Sequence, residues 1–237
     1  MRKLKKVLYK KKGHIAYVTI NNAERENCLT EQVDRDLWAV WRDFRDDPRL
    51  YVAILTGAGT KSWCAGSDLR DYVRRVAQMS NGYCLAGGME LAMACDIRIA
   101  ADHARFGVVN RRWNVGCESG LTQRLPHIVG LGVALDLILT GRWFDAKEAL
   151  AMHFVTRVVP RRRLMDEAIA MAEQICAYPQ SSLRTDKEAL IRGLGMTLEE
   201  GLRLECALWN TNLGLRDTLE GPRAFVEKRK FVPTNET

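Results

Sequence analysis

The feature that most constrains this chain is the adjacent pair Gly87 and Gly88, inside the segment NGYCLAGGME that runs from Asn81 to Glu90. Glycine lacks a Cβ atom, so the backbone can come very close to another group here. The residues that follow predict a helix to about Ala94. Because the first N–H groups of a helix have no intrahelical acceptor, the pair predicts a turn that presents backbone donors.

A second loop of small residues, WCAGSDL from Trp63 to Leu69, follows a predicted strand. Each loop alone is ordinary turn geometry. Together they can direct two backbone N–H groups at one carbonyl oxygen and stabilise it as an enolate, where losing one donor typically costs about 2.7–4 kcal/mol of barrier. The two loops therefore predict a backbone oxyanion hole, with plain turn geometry as the alternative for the pair.

The residues around these loops predict alternating strands and helices. Residues 15–20 (IAYVTI) and 51–56 (YVAILT) are rich in β-branched residues and predict strands. Between them, Thr30 is a candidate N-cap for a helix that Asp47-Pro48 ends. Further strands are predicted at 76–80 and 96–100. Strand, helix and strand in this order indicate an α/β architecture.

The last third of the chain predicts helices. From about Thr122 the pattern is helical, with helix starts at Asp145 and Thr197 and an amphipathic helix over 164–177. We expect one core domain at residues 1–175 and a helical region at 176–237 that covers the core or mediates self-association.

Composition excludes several classes of protein. The chain is 47% hydrophobic and 27% charged, and no apolar run approaches the roughly 18 residues of a membrane span. The seven cysteines form no Cys-x-x-Cys pair, and the four histidines have no metal-ligand spacing, so we expect no metal and free thiols in a reducing compartment. A cytoplasmic location is predicted, with the mitochondrial matrix as the alternative.

The start of the chain, MRKLKKVLYKKKGH, is basic but lacks the apolar region of a secretory signal. It carries much of the net charge of +7. We expect a solvated, frayed end; attraction of a polyanion such as coenzyme A is the alternative. Neither a membrane nor a nucleic-acid partner is expected, since no recognised nucleic-acid motif is present.

Several motifs in order resemble the enoyl-CoA hydratase/isomerase (crotonase) family. They include NNAERENCLT (21–30), LTGAGTKSWCAGSDL (55–69), NGYCLAGGMELAMACDIRIAADHARFG (81–107) and LTGRWFDAKEALAMHFVTRVVP (139–160). The resemblance implies a ββα superhelix with a C-terminal helical trimerisation region, assembled as a homotrimer or a dimer of trimers. It also implies an acyl-CoA thioester as substrate, with no cofactor beyond the coenzyme A of the substrate.

The resemblance assigns the oxyanion donors to the N–H groups of Ala65 and Gly87, with Cys64 as an alternative to Ala65. Arg25, Phe225 and Lys228 match residues near the coenzyme, although an ordinary surface or core role is equally open for each. The residues expected to bind substrate or coenzyme A are Arg25, Cys64, Ala65, Gly66, Ser67, Asp68, Leu69, Asn110, Phe225 and Lys228.

The acids depart from the family pattern. Glu90 matches the first of the two glutamates that family hydratases use, but Asn110 stands at the second, and an amide cannot take up a proton at neutral pH. Eight residues further lies Glu118, at an offset that an acid occupies in dienoyl-CoA isomerase relatives. We predict Glu90 and Glu118 as catalytic. The alternative for Glu118 is a loop carboxylate that faces solvent or pairs with Arg111, Arg112 or Arg124.

Hydration and double-bond isomerisation are therefore both open. Hydrolase or decarboxylase chemistry also fits the same fold. A catalytically weakened crotonase that binds RNA or protein is the alternative from another class.

The family normally has a longer stretch between Leu69 and the strand predicted at 76–80. Either this segment has been lost and the acyl pocket is open, or the sequence omits a stretch. We favour the second, which predicts an intact mass well above 26.9 kDa.

Overall fold

The computed structural model describes residues 4–67 and 84–235. The chain divides into two compact units, Met1–Ala170 and Met171–Thr237. The predicted strand at 76–80 lies outside the described residues. Within the described ranges, no helix combines the length and hydropathy needed to cross a membrane.

The first sheet contains three strands, β1 (Val7–Lys12), β2 (Ile15–Ile20) and β3 (Val52–Gly57), in that order. β1 pairs antiparallel with β2, which pairs in parallel with β3 from Ile15↔Val52 to Ile20↔Gly57. Two parallel neighbours need a crossover, which helix α1 (Glu31–Asp46) supplies. The predicted strand at 15–20 is confirmed, and the second begins one residue later than predicted.

Helix α1 begins and ends as the sequence predicts. The Thr30 hydroxyl accepts from the Val33 N–H at 3.2 Å, and the helix ends just before Asp47-Pro48. Its apolar face packs on β1 and β2 in a core cluster that includes Val18, Val33 and Leu37. This face anchors the helix between two parallel strands.

The basic start of the chain is not the frayed end that we expected. Val7 is buried, and β1 pairs along the whole of β2. Asp47 offsets part of its charge, because the Lys11 ammonium lies 2.8 Å from the Asp47 carboxylate. The Asp36 carboxylate on α1 accepts from the backbone N–H groups of Lys5 and Lys6 at 2.8 and 2.7 Å, which ties this start to the helix. The lysine-rich segment therefore forms a strand, and the acidic residues that contact it lie far away in the sequence.

Short strands make up two further sheets in the first unit. β4 (Cys84–Leu85) pairs in parallel with β6 (Arg105–Gly107), which pairs antiparallel with β7 (Trp143–Asp145). β5 (Ile99–Ala101) pairs in parallel with β8 (Arg157–Val159).

Helices cover these strands around one core. They are α2 (Gly87–Ala94), α3 (Leu121–Val129), α4 (Leu131–Thr140) and α5 (Ala146–Ala151). At the centre, the ring of Phe106 lies 5.2 Å from that of Phe144 and 5.4 Å from that of Phe154. Edge-to-face and offset pairs of this kind stabilise a core beyond their buried area.

Two predictions in this region need correction. The pattern after Thr122 is not continuously helical, because β7 and β8 interrupt it. The strand predicted at 96–100 is shorter and begins later, as β5 at Ile99–Ala101. Before it, the Arg98 side chain donates to the carbonyls of Cys95 and Phe154, both at 2.7 Å. The predicted helix start at Asp145 is confirmed, because its carboxylate accepts from the Glu148 N–H at 2.9 Å.

Helix α6 (Leu164–Cys176) begins in the first unit and ends in the second, which also contains α7 (Gln180–Gly193), α8 (Leu198–Asn210) and α9 (Arg216–Val226). Thr197 and Glu200 form the predicted capping box of α8. In α9, the Asp217 carboxylate accepts from the N–H and hydroxyl of Thr234 and from the N–H of Asn235, each at 2.9 Å. This carboxylate ties the end of the chain to α9.

Asp217 should make the stability of the protein depend on acid pH. Burial raises the pKa of Asp217, but the donors of Thr234 and Asn235 outweigh it and hold the pKa below its ordinary value. A group with a lowered pKa in the folded state contributes stability above its unfolded pKa of about 3.9, and that stability is lost as the pH falls through the folded value. We expect Asp217→Asn to lower the unfolding free energy at neutral pH by about 1–3 kcal/mol and to flatten its decline in acid, measured by urea denaturation.

The exposed Asp186 on α7 supplies the matched control, because Asp186→Asn removes the same charge away from this contact. The role of Asp217 would be contradicted if both variants lost the same unfolding free energy. It would also be contradicted if the stability of Asp217→Asn declined in acid as steeply as that of the wild type.

Candidate active site

The candidate site lies at the carboxyl ends of β4 and β6. These strands are parallel neighbours with Leu85 opposite Gly107, and the Ala86 N–H donates to the Gly107 carbonyl at 3.1 Å. The carboxyl ends of parallel strands meet at one edge of a sheet. The segment from Gly87 to Glu90 after β4 and Asn110 after β6 therefore project from the same edge.

Gly88 packs directly on the backbone of the other loop. A Cβ atom on Gly88 would lie 2.3 Å from the Cys64 carbonyl oxygen, which real Cβ atoms do not tolerate. The same oxygen accepts from the Leu85 N–H at 3.3 Å. The two glycine-containing loops, far apart in sequence, are thus joined backbone to backbone.

Two backbone nitrogens face the same small space between these loops. A Cβ atom on Gly87 would lie 3.1 Å from the Ser67 nitrogen, and one on Gly66 would lie 3.1 Å from the Gly87 nitrogen. Gly87 is the first residue of α2, so its N–H has no intrahelical acceptor. The arrangement places the N–H groups of Ser67 and Gly87 together.

The residue before Gly87 has a strained backbone. Ala86 has φ 47° and ψ −114°, although it is not a glycine. Such conformations persist only where the surroundings enforce them, and they often occur at functional sites. Here the hydrogen bond to Gly107 on one side and the contact of Gly88 on the other enforce the turn that orients the Gly87 N–H.

The prediction that Ala65 is the second oxyanion donor is corrected. The Ala65 N–H already donates to the Glu26 carbonyl at 3.1 Å, which leaves Ser67 as the residue of this loop that faces Gly87. Cys64, the alternative, is fully buried, and burial raises the pKa of its thiol to about 12. Cys64 therefore contributes its carbonyl to the packing of the site, and its thiol stays protonated.

Glu90 is buried and points at the loop that precedes α3. Its Oε1 atom accepts from the Ser119 N–H at 3.2 Å, and the residue is only 8% exposed. One backbone donor therefore fixes one oxygen of this carboxylate. Glu90 itself lies in the first turn of α2.

Asn110 is also buried and holds the same loop. It lies in the 3-10 helix Val109–Trp113, and its Nδ2 atom donates to the Gly116 carbonyl at 3.0 Å and to the Cys117 sulfur at 3.1 Å. Among the described residues, no group donates to its buried Oδ1 atom. This amide oxygen is therefore a buried acceptor that the described part of the chain leaves without a donor.

Glu118 belongs to the loop that Glu90 and Asn110 hold, but its own side chain is exposed. Its neighbour Ser119 contacts Glu90 through the backbone N–H and receives the Arg124 guanidinium on its carbonyl at 2.9 Å. The structure thus brings the loop of Glu118 to Glu90 and leaves the Glu118 carboxylate at the surface.

The two arginines after Asn110 support backbone carbonyls. Arg111 donates to the Val115 carbonyl at 2.7 Å, and Arg112 donates to the Gly141 carbonyl at 3.1 Å. These contacts give both side chains a structural role in holding the segment around Asn110.

The remaining predicted residues are exposed or lie outside the described residues. Arg25 is exposed at the end of the 3-10 helix Ala23–Arg25. Phe225 is 85% exposed and Lys228 is exposed, both in the second unit. Asp68 and Leu69 lie outside the described residues, as does the part of the NGYCLAGGME segment before Cys84.

Sequence reasoning missed Glu26 and Asn27, which hold the 58–67 loop in place. Both have left-handed backbones, with φ 53° and 54°. The Asn27 side chain donates to the carbonyls of Ala58 and Ser62 at 2.8 and 2.7 Å, and the Glu26 carboxylate pairs with Lys61. The only sequence signal was an asparagine near a predicted turn, a residue that tolerates this conformation.

The chain matches known proteins along most of its length. The profile of the family described as Enoyl-CoA hydratase/isomerase matches residues 10–80 and 75–235. (E)-Benzylidenesuccinyl-CoA hydratase from Thauera aromatica is 36% identical over 243 residues, covering 92% of this chain and 94% of the relative. Short-chain-enoyl-CoA hydratase from Clostridium acetobutylicum is 32% identical over 253 residues, covering 96% of this chain and 97% of the relative.

A solved structure agrees with these sequence matches. The crystal structure of enoyl-CoA hydratase from Bacillus anthracis superposes with a TM-score of 0.91 at 32% identity, covering 98% of this chain and all of the other. The predicted α/β, crotonase-like fold class is thereby confirmed. The Thauera alignment is longer than the part of this chain that it covers, so that relative carries residues that this chain lacks.

The contact between Gly88 and Cys64 gives a direct test of the site. We expect Gly88→Ala to lower the unfolding free energy by about 1–3 kcal/mol, because the new methyl group meets a backbone oxygen that cannot move aside without breaking its bond to Leu85. Urea denaturation followed by circular dichroism measures the change.

Gly201 provides the matched control, since it lies inside α8 and a Cβ atom there would meet nothing within 4 Å. Gly201→Ala should raise stability by about 0.5–1 kcal/mol through its helix propensity. A Gly88→Ala variant as stable as the wild type would show that the two loops are not packed in this way.

Proposed function

Because the chain belongs to the enoyl-CoA hydratase/isomerase family, we propose that it adds water to the double bond of a 2-enoyl-CoA thioester. The observation that carries this proposal is the pair of N–H groups from Ser67 and Gly87 at one small space, with the buried Glu90 three residues after Gly87. The proposed reaction needs no cofactor beyond the coenzyme A carried by the substrate.

The two N–H groups supply the electrostatic part of this mechanism. When a nucleophile adds to the β-carbon of an enoyl thioester, negative charge develops on the thioester oxygen as an enolate. Donors that are already fixed toward that oxygen stabilise the charge without reorganising during the reaction. The Gly87 N–H also lies at a helix N-terminus, where the helix dipole favours negative charge.

Glu90 supplies the proton-transfer part. A carboxylate can take a proton from water and return it to carbon, which is the usual role of a general acid and base. Its position within the first turns of α2 puts it beside the Gly87 donor on the same helix. The Ser119 N–H fixes one of its oxygens, and we assign the proton transfer to the other oxygen.

Isomerisation of a double bond is the second candidate. Asn110 occupies the position of the second acid, and isomerisation needs an enolate and a carboxylate but no added water. The exposure of Glu118 favours hydration by Glu90 over a proton relay between the two glutamates. The alternative of an RNA-binding module gains little support, because Lys6 and Lys11 in the basic start are paired with acidic groups.

Replacement of Glu90 tests the proposed function. We expect Glu90→Gln to reduce hydration of crotonyl-CoA by about 10²–10⁴-fold, because the amide keeps the shape of the side chain but cannot exchange a proton. Loss of absorbance of the conjugated thioester measures the rate. Glu118→Gln is the control and should keep most of the activity, since its side chain lies at the surface.

Two outcomes would contradict this assignment. A wild-type protein that turns over neither crotonyl-CoA nor a 3-enoyl-CoA would reject both hydratase and isomerase. Activity that survives Glu90→Gln but not Glu118→Gln would transfer the catalytic role to Glu118.

We also propose that the chain assembles as a homotrimer or a dimer of trimers. Apolar side chains of the second unit support this proposal, because Leu190, Leu198 and Phe225 are each more than 70% exposed in the single chain. Large exposed apolar surfaces are typical of interfaces. Light scattering should give three or six times the mass of the single chain as measured by mass spectrometry, and a monomer would overturn the proposal.

The compartment also stays a prediction. None of the seven cysteines, all of which lie within the described residues, forms a disulfide, which supports a reducing compartment such as the cytoplasm. Fractionation of the expressing cells tests this location.

A further inference from the structure

Asn110 combines burial with an acceptor that lacks a donor. The residue is only 6% exposed, and no described group donates to its Oδ1 atom. The orientation of the amide follows from its surroundings, because the Gly116 carbonyl at 3.0 Å requires a donor and therefore the nitrogen. An unsatisfied buried acceptor is unfavourable, so a group that binds at this point should bring a hydrogen-bond donor.

Asn110 and Glu90 are attached to the same elements of the fold. Both follow the carboxyl ends of the neighbouring parallel strands β4 and β6. Both also hold one loop, Asn110 through Gly116 and Cys117 and Glu90 through Ser119. A small molecule with two donors can therefore bridge the Glu90 carboxylate and the Asn110 amide oxygen, and water is the smallest such molecule.

We propose that the Asn110 Oδ1 atom binds the water that adds to the substrate, and that Glu90 alone transfers its proton. This inference rests on the proposed hydratase function and deepens it. One hydrogen of the water points to Glu90 and the other to Asn110, which directs an oxygen lone pair at the β-carbon. The amide orients the water without becoming charged.

The proton balance closes with one carboxylate. Glu90 takes one proton from the water, and the water oxygen forms a bond to the β-carbon. The electron pair of the double bond moves toward the thioester, whose oxygen carries the enolate charge near Ser67 and Gly87. Collapse of the enolate forms the bond between the α-carbon and the proton held on Glu90, which regenerates the carboxylate.

The enolate step and the water step can be measured separately. Exchange of the α-protons of butyryl-CoA with D2O needs only the enolate site and a carboxylate, whereas hydration of crotonyl-CoA also needs the bound water. We expect Asn110→Leu to lower kcat for hydration about tenfold or more and to lower α-proton exchange by a much smaller factor, because the lost loop support affects both reactions and the lost water acceptor affects only hydration. Glu90→Gln should abolish both reactions.

Cys117→Ala is the matched control for the loop. It removes one of the two partners of the Asn110 nitrogen and leaves the Oδ1 atom in place, so both reactions should continue. Asn110→Ser is a second, smaller variant that keeps an oxygen acceptor and should recover part of the hydration lost in Asn110→Leu.

The outcomes separate this inference from the proposed function. If the wild type hydrates crotonyl-CoA and Asn110→Leu does so equally well, the water-binding role is wrong and the hydratase function stands. If hydration and exchange fall by the same factor in Asn110→Leu, the residue acts only on the loop. If the wild type exchanges α-protons but hydrates nothing, the proposed function fails and the water-binding role fails with it.

Discussion

The packing of the Gly88 backbone on the Cys64 carbonyl is the contact on which the candidate site depends. A side chain at position 88 would separate the two loops, since its Cβ atom would lie 2.3 Å from that oxygen. Only with the loops in contact do the nitrogens of Ser67 and Gly87 face one space. The strained backbone of Ala86 follows from the same contact, because the turn must leave β4 and start α2 within one residue.

Local signals in the sequence predicted much of the framework. The Thr30 cap, the strand at 15–20 and the capping box at Thr197 each depend on neighbouring residues, and all three are confirmed. The missed strand β1 depends on pairing with β2 and on acidic residues of α1 that lie about thirty positions away, such as Asp36. Propensity and charge alone could not reveal those partners.

In the site, too, features that depend on neighbouring residues could be predicted, and those that depend on long-range contacts could not. Gly87 and Glu90 belong to one helix start, and the structure confirms the helix that the sequence predicts there. The choice between Ala65 and Ser67 could not be made from the sequence, because it depends on the long-range hydrogen bond from the Ala65 N–H to the Glu26 carbonyl.

The amide at position 110 also changes the electrostatics around Glu90. A second carboxylate there would place a like charge close to the segment that Glu90 also holds, and the two charges would repel each other. A carboxylate would also lack the hydrogens that Asn110 donates to Gly116 and Cys117. The amide therefore holds the loop that carries Ser119 and leaves Glu90 without a charged neighbour at that position. Because the Ser119 N–H is the donor that fixes Glu90, the support of the loop and the orientation of the remaining acid are linked through Asn110.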